Sequence, residues 1–303
     1  LQYKRPKKHI SGILLLDKPL GFSSNQALQK IKWLLQAAKA GHTGTLDPLA
    51  TGLLPLCFGE ATKFAHYLTD ADKTYVATIK LGVTTTTGDA EGEVLSSHPV
   101  HVTRAQLEHA CQQFIGEISQ VPPMYSALKH EGKALYEYAR AGVEIERKAR
   151  NVIIHGISLD GLQEDVATIT VTCSKGTYIR TLAEDIGKFL GCGAHLIGLR
   201  RTATAGYQIS QTITLEQFEA MSPEGRIAAL QSADSAVLHL PAVTLDADCT
   251  FYLQQGQAVW KSGVIPPGLL RLYSEQQVFL GLGELQDDGR IAPKRLIVDK
   301  AQI

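Results

Sequence analysis

The chain has 303 residues, 44% hydrophobic and 20% charged, with 30 basic and 30 acidic side chains in balance. That is the texture of a globular protein with room for one sizeable domain and a small second one. No apolar run reaches the roughly 20 residues of a membrane span, and a net charge of zero gives no global argument for nucleic acid.

In chain order, the opening LQYKRPKKH is basic and leads into no apolar core, so no secretory signal is expected. Residues 12–16 (GILLL) read as a buried strand that stops at the turn DKPLG. Ser23 with Gln26 makes a capping box, and Ala27, Leu28, Ile31, Leu34 and Leu35 line one helical face behind it. The Gly/Pro-punctuated stretch GHTGTLDPLATGLLP follows from Gly41, and TYVATIKLG (74–82) then alternates as a half-buried strand. Thr103 caps a helix with Leu107, Ala110, Cys111, Phe114 and Ile115 at helical spacing; ALYEYARAG (134–142) is a short helix closed by Gly142. VIIHGISLD (152–160) precedes the alternating strand VATITVTCS, with Ala167, Ile169, Val171 and Cys173 on one face. TYIRTLAEDIGKFLG (177–191) reads as a helix, LIGLRRTATAG as the next strand, and TLEQFEAM and PEGRIAALQ as two short helices. Beyond Pro241 the short apolar runs VTL, VFLGLGEL and RLIV alternate with Gly and Pro, which reads as a small all-β module from about residue 244.

Strands and helices are mixed without the βαβ rhythm of a parallel sheet. The expected class is α/β in the α+β sense: a mixed, mainly antiparallel sheet flanked by helices. No GxGxxG or GxxxxGK opens a helix after a strand, so no nucleotide cofactor is expected. The cysteines Cys57, Cys111, Cys173, Cys192 and Cys249 form no CxxC pair and no zinc spacing, and read as buried free thiols. The acidic stretch GDAEGE (88–93) lacks the spacing of an EF-hand, so no metal is expected there. Basic clusters stand at Lys4, Arg5, Lys7 and Lys8, at Arg200–Arg201, and at Lys294–Arg295; by charge alone each reads as a solvated face or an RNA contact.

Several residues invite a chemical reading beside an ordinary one. Asp47 lies between Gly44 and Gly52, directly before Pro48, where Asp with Pro commonly starts a helix. A rigid loop is also where a carboxylate can be held against a substrate. His42 has no second His at metal spacing and reads as packed or capping. Tyr75 shares its strand face with Ala77, Ile79 and Leu81 and reads as core. Tyr178 and Arg180 stand near a helix start, and Glu184 offers Arg180 an ordinary i,i+4 partner.

Together, the segments GILLLDKPLGFSSNQAL (12–28), AGHTGTLDPLATGLLPLCFGEATKF (40–64), DKTYVATIKLG (72–82), PPMYSALKHEGKALYEYAR (122–140), CSKGTYIRTLAEDIG (173–187) and CGAHLIGLRR (192–201) resemble the TruB family of pseudouridine synthases in order and approximate spacing. Near the C-terminus GRIAPKRLIV resembles the PUA-like module of the bacterial enzymes. The resemblance implies a catalytic domain over residues 1–243 with an RNA-contacting insertion near 100–150, then a PUA-like RNA-binding domain over 244–303. It implies Asp47 as the catalytic aspartate and Arg180 as the arginine that pairs with it. Tyr75 matches the tyrosine that stacks on the target base. Tyr178 and Leu199 match further residues around the flipped base, and His42 the histidine that enters the RNA loop. The implied substrate is uridine 55 in the T-loop of tRNA, bound through the T-arm by a cytoplasmic monomer that needs no cofactor and no metal. One departure stands out: the family usually has Thr-Asp-Thr before Gly-Asp-x-x-Gly, and here Thr86 occupies that Asp position. It is expected to touch none of the site segments.

The implied chemistry breaks the C1′–N1 bond of uridine, turns the uracil, and forms a C1′–C5 bond. No redox change occurs, and a carboxylate can assist the cleavage. An exposed Asp, with a pKa of about 3.9, is ionised at neutral pH without help. Arg180 is therefore expected to offset burial and aim the carboxylate. A non-catalytic RNA-binding or tRNA-folding protein on the same scaffold is the alternative, and a metal-dependent hydrolase acting through GDAEGE is a third.

Overall fold

The computed structural model describes residues 7–263 and 265–297, so Lys4, Arg5 and Val298 of the motifs above lie outside the described residues. The first apolar run forms β1 (Gly12–Lys18). Leu14 and Leu16 enter one core while Ile13 and Leu15 enter another on the opposite face. A strand covered on both faces has no polar side to show, which is why GILLL is a continuous apolar run. Next comes α1 (Ser24–Leu35), opened by the expected capping box: Ser23 Oγ accepts from Gln26 N at 3.2 Å, and Gln26 Oε1 accepts from Ser23 N at 2.8 Å. Its buried face is Ala27, Leu28, Ile31 and Leu35.

β2 (Ala40–His42) and β3 (Ala50–Phe58) bracket the Gly/Pro loop. Beyond them lie α2 (Ala65–Asp70) and β4 (Lys73–Leu81), whose Tyr75, Ala77, Ile79 and Leu81 are all buried as the alternation demands. The hairpin β5 (Val83–Thr85) and β6 (Val94–Ser97) carries residues 86–93. α3 (Arg104–Gln112) buries Leu107, Ala110 and Cys111 but stops before Phe114 and Ile115. The chain turns there into β7 (Gly116–Gln120), leaving Ile115 exposed rather than on the helical face predicted for it. A small pair, β8 (Lys129–His130) and β9 (Lys133–Ala134), leads into α4 (Leu135–Arg140). Then follow β10 (Arg150–Gln163), β11 (Val166–Cys173), α5 (Ile179–Phe189) and β12 (Ala194–Thr204). β13 (Tyr207–Gln208), β14 (Ile213–Thr214), α6 (Leu215–Ala220) and α7 (Pro223–Ala228) come next.

Among the described residues these strands build one ten-stranded sheet, in the order β14-β1-β3-β12-β4-β11-β10-β7, with β2 added to β3 and β13 to β12. β1 pairs parallel with β14 and β3 with β12; the other pairings are antiparallel. This is the mixed, mainly antiparallel sheet expected. β12 lies between β3 and β4, so residues of the Gly/Pro loop, the Tyr75 strand and the LIGLRR strand become neighbours.

A second sheet is formed by β15 (Ala242–Leu245), β16 (Val259–Trp260), β17 (Gly268–Ser274), β18 (Phe279–Leu285) and β19 (Arg290–Leu296), around its own core of Leu245, Leu253, Leu270, Leu272 and Ile291. This region is β-rich but not all-β, because α8 (Ala247–Gln254) follows β15. Asp246 caps it by accepting from Cys249 N at 2.8 Å. Leu253 is its one buried residue, so there is no apolar stripe for periodicity to detect. No helix among the described residues is long and apolar enough to cross a membrane.

Candidate active site

Asp47 does not start a helix. It sits in the connection between β2 and β3, and its carbonyl accepts from Ala50 N at 3.0 Å. That closes a turn with Pro48 at its second position, where a fixed φ near −65° serves as well as at a helix start. The loop is pinned from outside. The buried Ser24 of α1 accepts from Leu46 N at 2.7 Å and donates to Leu46 O at 3.0 Å. Gly21 N donates to Pro48 O at 2.9 Å.

Arg180 reaches this loop from the first turn of α5. Its Nη2 lies 3.0 Å from Asp47 Oδ2 and its Nη1 3.2 Å from Asp89 Oδ2. It also donates to Thr87 O at 3.2 Å and to Tyr125 O at 2.5 Å. The guanidinium thus serves two carboxylates and two carbonyls from other segments rather than the i,i+4 partner Glu184. Asp89 belongs to GDAEGE, so this loop reaches the site through Asp89, a contact the sequence reading did not give it. Its carboxylate is further held by Thr87 Oγ1 at 2.6 Å and Glu91 N at 3.1 Å. Thr86 itself closes the hairpin, its Oγ1 accepting from Glu93 N at 3.1 Å. Among the described residues no group of three or more His, Cys, Asp or Glu side chains is placed to hold a metal.

These contacts decide the ionisation of Asp47. The surrounding protein pushes its carboxyl above the usual value by desolvation; the Arg180 charge opposes this, Asp89 adds to it, and Lys18 opposes it. Its side chain keeps 45% of its surface open, so it is presented to solvent and to whatever fills the space in front of it. Arg180 and Lys18 favour the charged form of this carboxyl, against the cost of burial and the Asp89 charge.

The space in front is a cavity of about 500 Å³ lined by Asp47, Tyr75, Tyr178, Arg180, Leu199 and Arg201, among others. Five of the six residues singled out from sequence therefore converge. Tyr75 is buried on β4, directly across from Arg201 on β12. Desolvation pushes its phenol up, with the Arg201 charge opposing, so the ring stays neutral at pH 7. Tyr178 is the residue preceding α5, and Gln120 braces its backbone, accepting from Tyr178 N at 3.1 Å and donating to Tyr178 O at 3.3 Å. Leu199 lies between Ala50 and Ala77 on the neighbouring strands. His42, on β2, is not among the cavity-lining residues. Burial and the Arg201 charge push its pKa down, which keeps it neutral.

Three more cations surround the site, and sequence reasoning missed their part in it. Lys18 is fully buried, donates to Pro19 O at 3.0 Å and to Phe22 O, and is pushed down to about 8 by desolvation, with Asp47 opposing. Lys73 lines the cavity, donates to Thr69 O at 2.8 Å and to Ala71 O, and is likewise pushed down to about 8 by desolvation and Arg201. Arg201, read as part of a surface cluster, is completely buried, while Arg200 pairs with Asp17 at 2.6 Å. The period-two pattern held the signal: Lys73 is in phase with Tyr75, and Arg201 with Leu199. Four cations against Asp47 and Asp89 leave the site locally positive, which suits a polyanionic ligand although the chain as a whole is neutral.

Residues 32–179 match the family described as TruB family pseudouridylate synthase (N terminal domain). Residues 180–237 match the tRNA pseudouridylate synthase B C-terminal domain, and 241–297 match Pseudouridine synthase II TruB, C-terminal. The chain is 62% identical over 297 residues to a protein of Methylobacillus flagellatus named tRNA pseudouridine synthase B, covering 98% of each. It is 54% identical to the protein of that name from Pseudomonas aeruginosa, covering 98% of this chain and 99% of the relative. Among solved structures, a chain described under Crystal Structure of a Cbf5-Nop10-Gar1 Complex superposes with a TM-score of 0.70 at 27% identity, covering 95% of this chain and 84% of the other.

Proposed function

Because the chain belongs to the TruB family of pseudouridine synthases, we propose that it isomerises uridine 55 in the T-loop of tRNA, with the target base flipped into the cavity and Asp47 as nucleophile. One observation carries the reading: a half-open carboxylate, paired with a buried arginine, stands at a cavity that also holds a buried tyrosine ring. The cavity volume falls in the range of small-ligand sites, roughly 300–1,000 Å³.

Flipping a stacked base costs a few kcal/mol, and stacking on an aromatic side chain returns about 1–3 kcal/mol. Tyr75 supplies that ring, Tyr178 and Leu199 complete the pocket, and His42, neutral and outside the cavity, fills the gap left in the RNA. Asp47 assists C1′–N1 cleavage, the uracil turns within the pocket, and the new C1′–C5 bond forms; the C5 proton is then lost to solvent and N1 takes up a proton. Arg180 keeps the carboxylate ionised and aimed. The excess of cations answers the phosphates that accompany the base.

The same reading assigns residues 1–243 to catalysis and 244–303 to a PUA-like RNA-binding unit, with the insertion near 100–150 gripping the T-arm. Basic side chains in that insertion, among them Lys129, Lys133, Arg140 and Lys148, support this. The enzyme acts as a monomer in the cytoplasm and needs neither cofactor nor metal. The test uses a tRNA transcript carrying tritium at uracil C5. Wild type should release tritium to water, and Asp47→Asn should release none while still binding the RNA. Full release by that variant sinks the mechanism and leaves the non-catalytic RNA-binding alternative no better, since turnover itself would persist.

A further inference from the structure

β12 carries two adjacent arginines that a reading of charge treats alike and the fold separates. Arg200 points out to Asp17, whereas Arg201 has no exposed surface. Arg201 Nε donates to Leu53 O at 2.7 Å and Nη2 to Gly44 O at 3.0 Å. Those carbonyls stand on either side of Asp47, one before it and one after it in the chain. Nη1 is buried and meets no acceptor among the described residues.

The loop is wound closely against Arg201 at both ends, through its side chain at one and its backbone at the other, and both glycines take a positive φ. Gly44 has φ +71°, and a Cβ there would lie 3.0 Å from Arg201 Nη1. Gly52 has φ +100°, and a Cβ there would lie 2.3 Å from Arg201 O. Gly44 thus lies against the Arg201 side chain, whereas Gly52 lies against the Arg201 backbone, its pairing partner on β12. A buried guanidinium answered by two carbonyls and the neighbouring Tyr75 phenol, with no carboxylate, is a costly way to close a loop, since an apolar side chain would avoid the desolvation. What the arginine offers instead is two N–H donors in a rigid planar fork, which fix two backbone points relative to each other.

We propose that Arg201 is a positioning residue for the isomerisation: it clamps residues 44–53 between Gly44 O and Leu53 O and thereby holds Asp47 at the edge of the cavity. This rests on the reading of Asp47 as nucleophile. Arg201 acts through the loop, whereas Arg180 supplies the charge that offsets burial of the carboxylate.

The experiment measures tRNA affinity and the single-turnover rate at saturating enzyme for wild type, Arg201→Met, Arg201→Lys, Gly44→Ala and Asp47→Asn, each across pH and corrected for the folded fraction from a thermal melt. Displacing a reacting group by about 1 Å costs on the order of 100-fold in rate. Arg201→Met should bind tRNA within about threefold of wild type and turn over about 100-fold more slowly, with the acid limb of its pH profile unmoved. Arg201→Lys, which reaches one carbonyl, should recover about tenfold of that loss. Should Arg201→Met fail to fold, Gly44→Ala presses on the same contact from the loop side with the arginine intact, and should show the same loss at saturation. A wild-type saturated rate per folded molecule, a loss confined to affinity, or a displaced acid limb overturns the proposal. If Asp47→Asn is inactive while Arg201→Met is not, the clamp alone falls. If Asp47→Asn turns over, the nucleophile reading falls and takes the clamp with it.

Discussion

The start of α5 and the middle of β12 each bury an arginine beside the same cavity, and they solve the burial differently. Arg180 faces two carboxylates, Asp47 and Asp89, at 3.0 and 3.2 Å. Arg201 faces backbone carbonyls and has no carboxylate within ion-pairing distance among the described residues. One guanidinium is placed to tune a charge, the other to fix a shape. The contrast also explains the neighbours. Arg201, left uncompensated, contributes to pushing down Lys18, Lys73 and His42, while Arg180 works directly against the raised pKa of Asp47.

The largest effect that tests this contrast is expected from Arg180→Met. It leaves the Asp89 carboxylate, 4% exposed, buried without its cation, and breaking a buried pair in this way costs about 3–5 kcal/mol of stability. It also removes the attraction that opposes burial at Asp47. The sign follows directly: an ionised nucleophile is lost as pH falls through its pKa, so a pKa pushed further up moves the acid limb of the single-turnover profile to higher pH. The saturated rate at pH 7 should fall by roughly 100-fold or more. Asp89→Asn removes a repulsion instead and should move the acid limb to lower pH. An acid limb at the same pH in both variants would falsify the assignment of charge control to Arg180.

A middle-sized effect is expected at Lys73. Its folded pKa of about 8 lies below the ordinary 10.5, so between those values the unfolded chain binds more protons. Stability contributed by this group therefore rises with pH across that window. Cys57 and Cys173, pushed up to about 12 and about 11 by burial, act with the opposite sign at alkaline pH. The useful quantity is thus the difference between variants. Lys73→Met should be stabilised relative to wild type below pH 8, apart from a constant loss of the bonds to Thr69 and Ala71. That advantage should shrink by about 1–2 kcal/mol as pH approaches 10. Urea unfolding of both proteins at four pH values checks it; parallel curves would mean that Lys73 titrates normally.

Much of this was legible in the sequence, and the failures share a cause. Period-two and period-3.6 patterns located the strand of Tyr75, the strand of Ile169 and helix α1, because each buries one face and the pattern is local. Read locally, Asp47 fits a helix start, because Asp-Pro suits a turn and a helix start equally well; only the resemblance of the surrounding segments points to a catalytic carboxylate. The pairing of Arg180 with Asp47 follows from the resemblance and is present at 3.0 Å, but local spacing points only to Glu184, and Asp89 lies on a distant hairpin that no local pattern reveals. Arg201 was read as surface because burial of a cation depends on which carbonyls the tertiary fold supplies, and here those come from residues about 150 positions away. Helix α8 escaped because it buries a single residue.

The smallest effect is expected one residue from the clamp. Arg200 Nη2 lies 2.6 Å from Asp17 Oδ2, with the arginine side chain 42% exposed. Exposed ion pairs contribute about 0–1 kcal/mol and are screened by salt. Arg200→Gln should therefore change stability by less than about 1 kcal/mol and leave the saturated rate within about twofold of wild type, a barrier change of about 0.4 kcal/mol. If Arg200 also meets a phosphate, the only trace is a salt dependence of tRNA binding shallower by about one counterion, read from affinities at several salt concentrations. A rate loss at Arg200 as large as that at Arg201 would mean that β12 acts through its charge and not through the two carbonyls that Arg201 alone can reach.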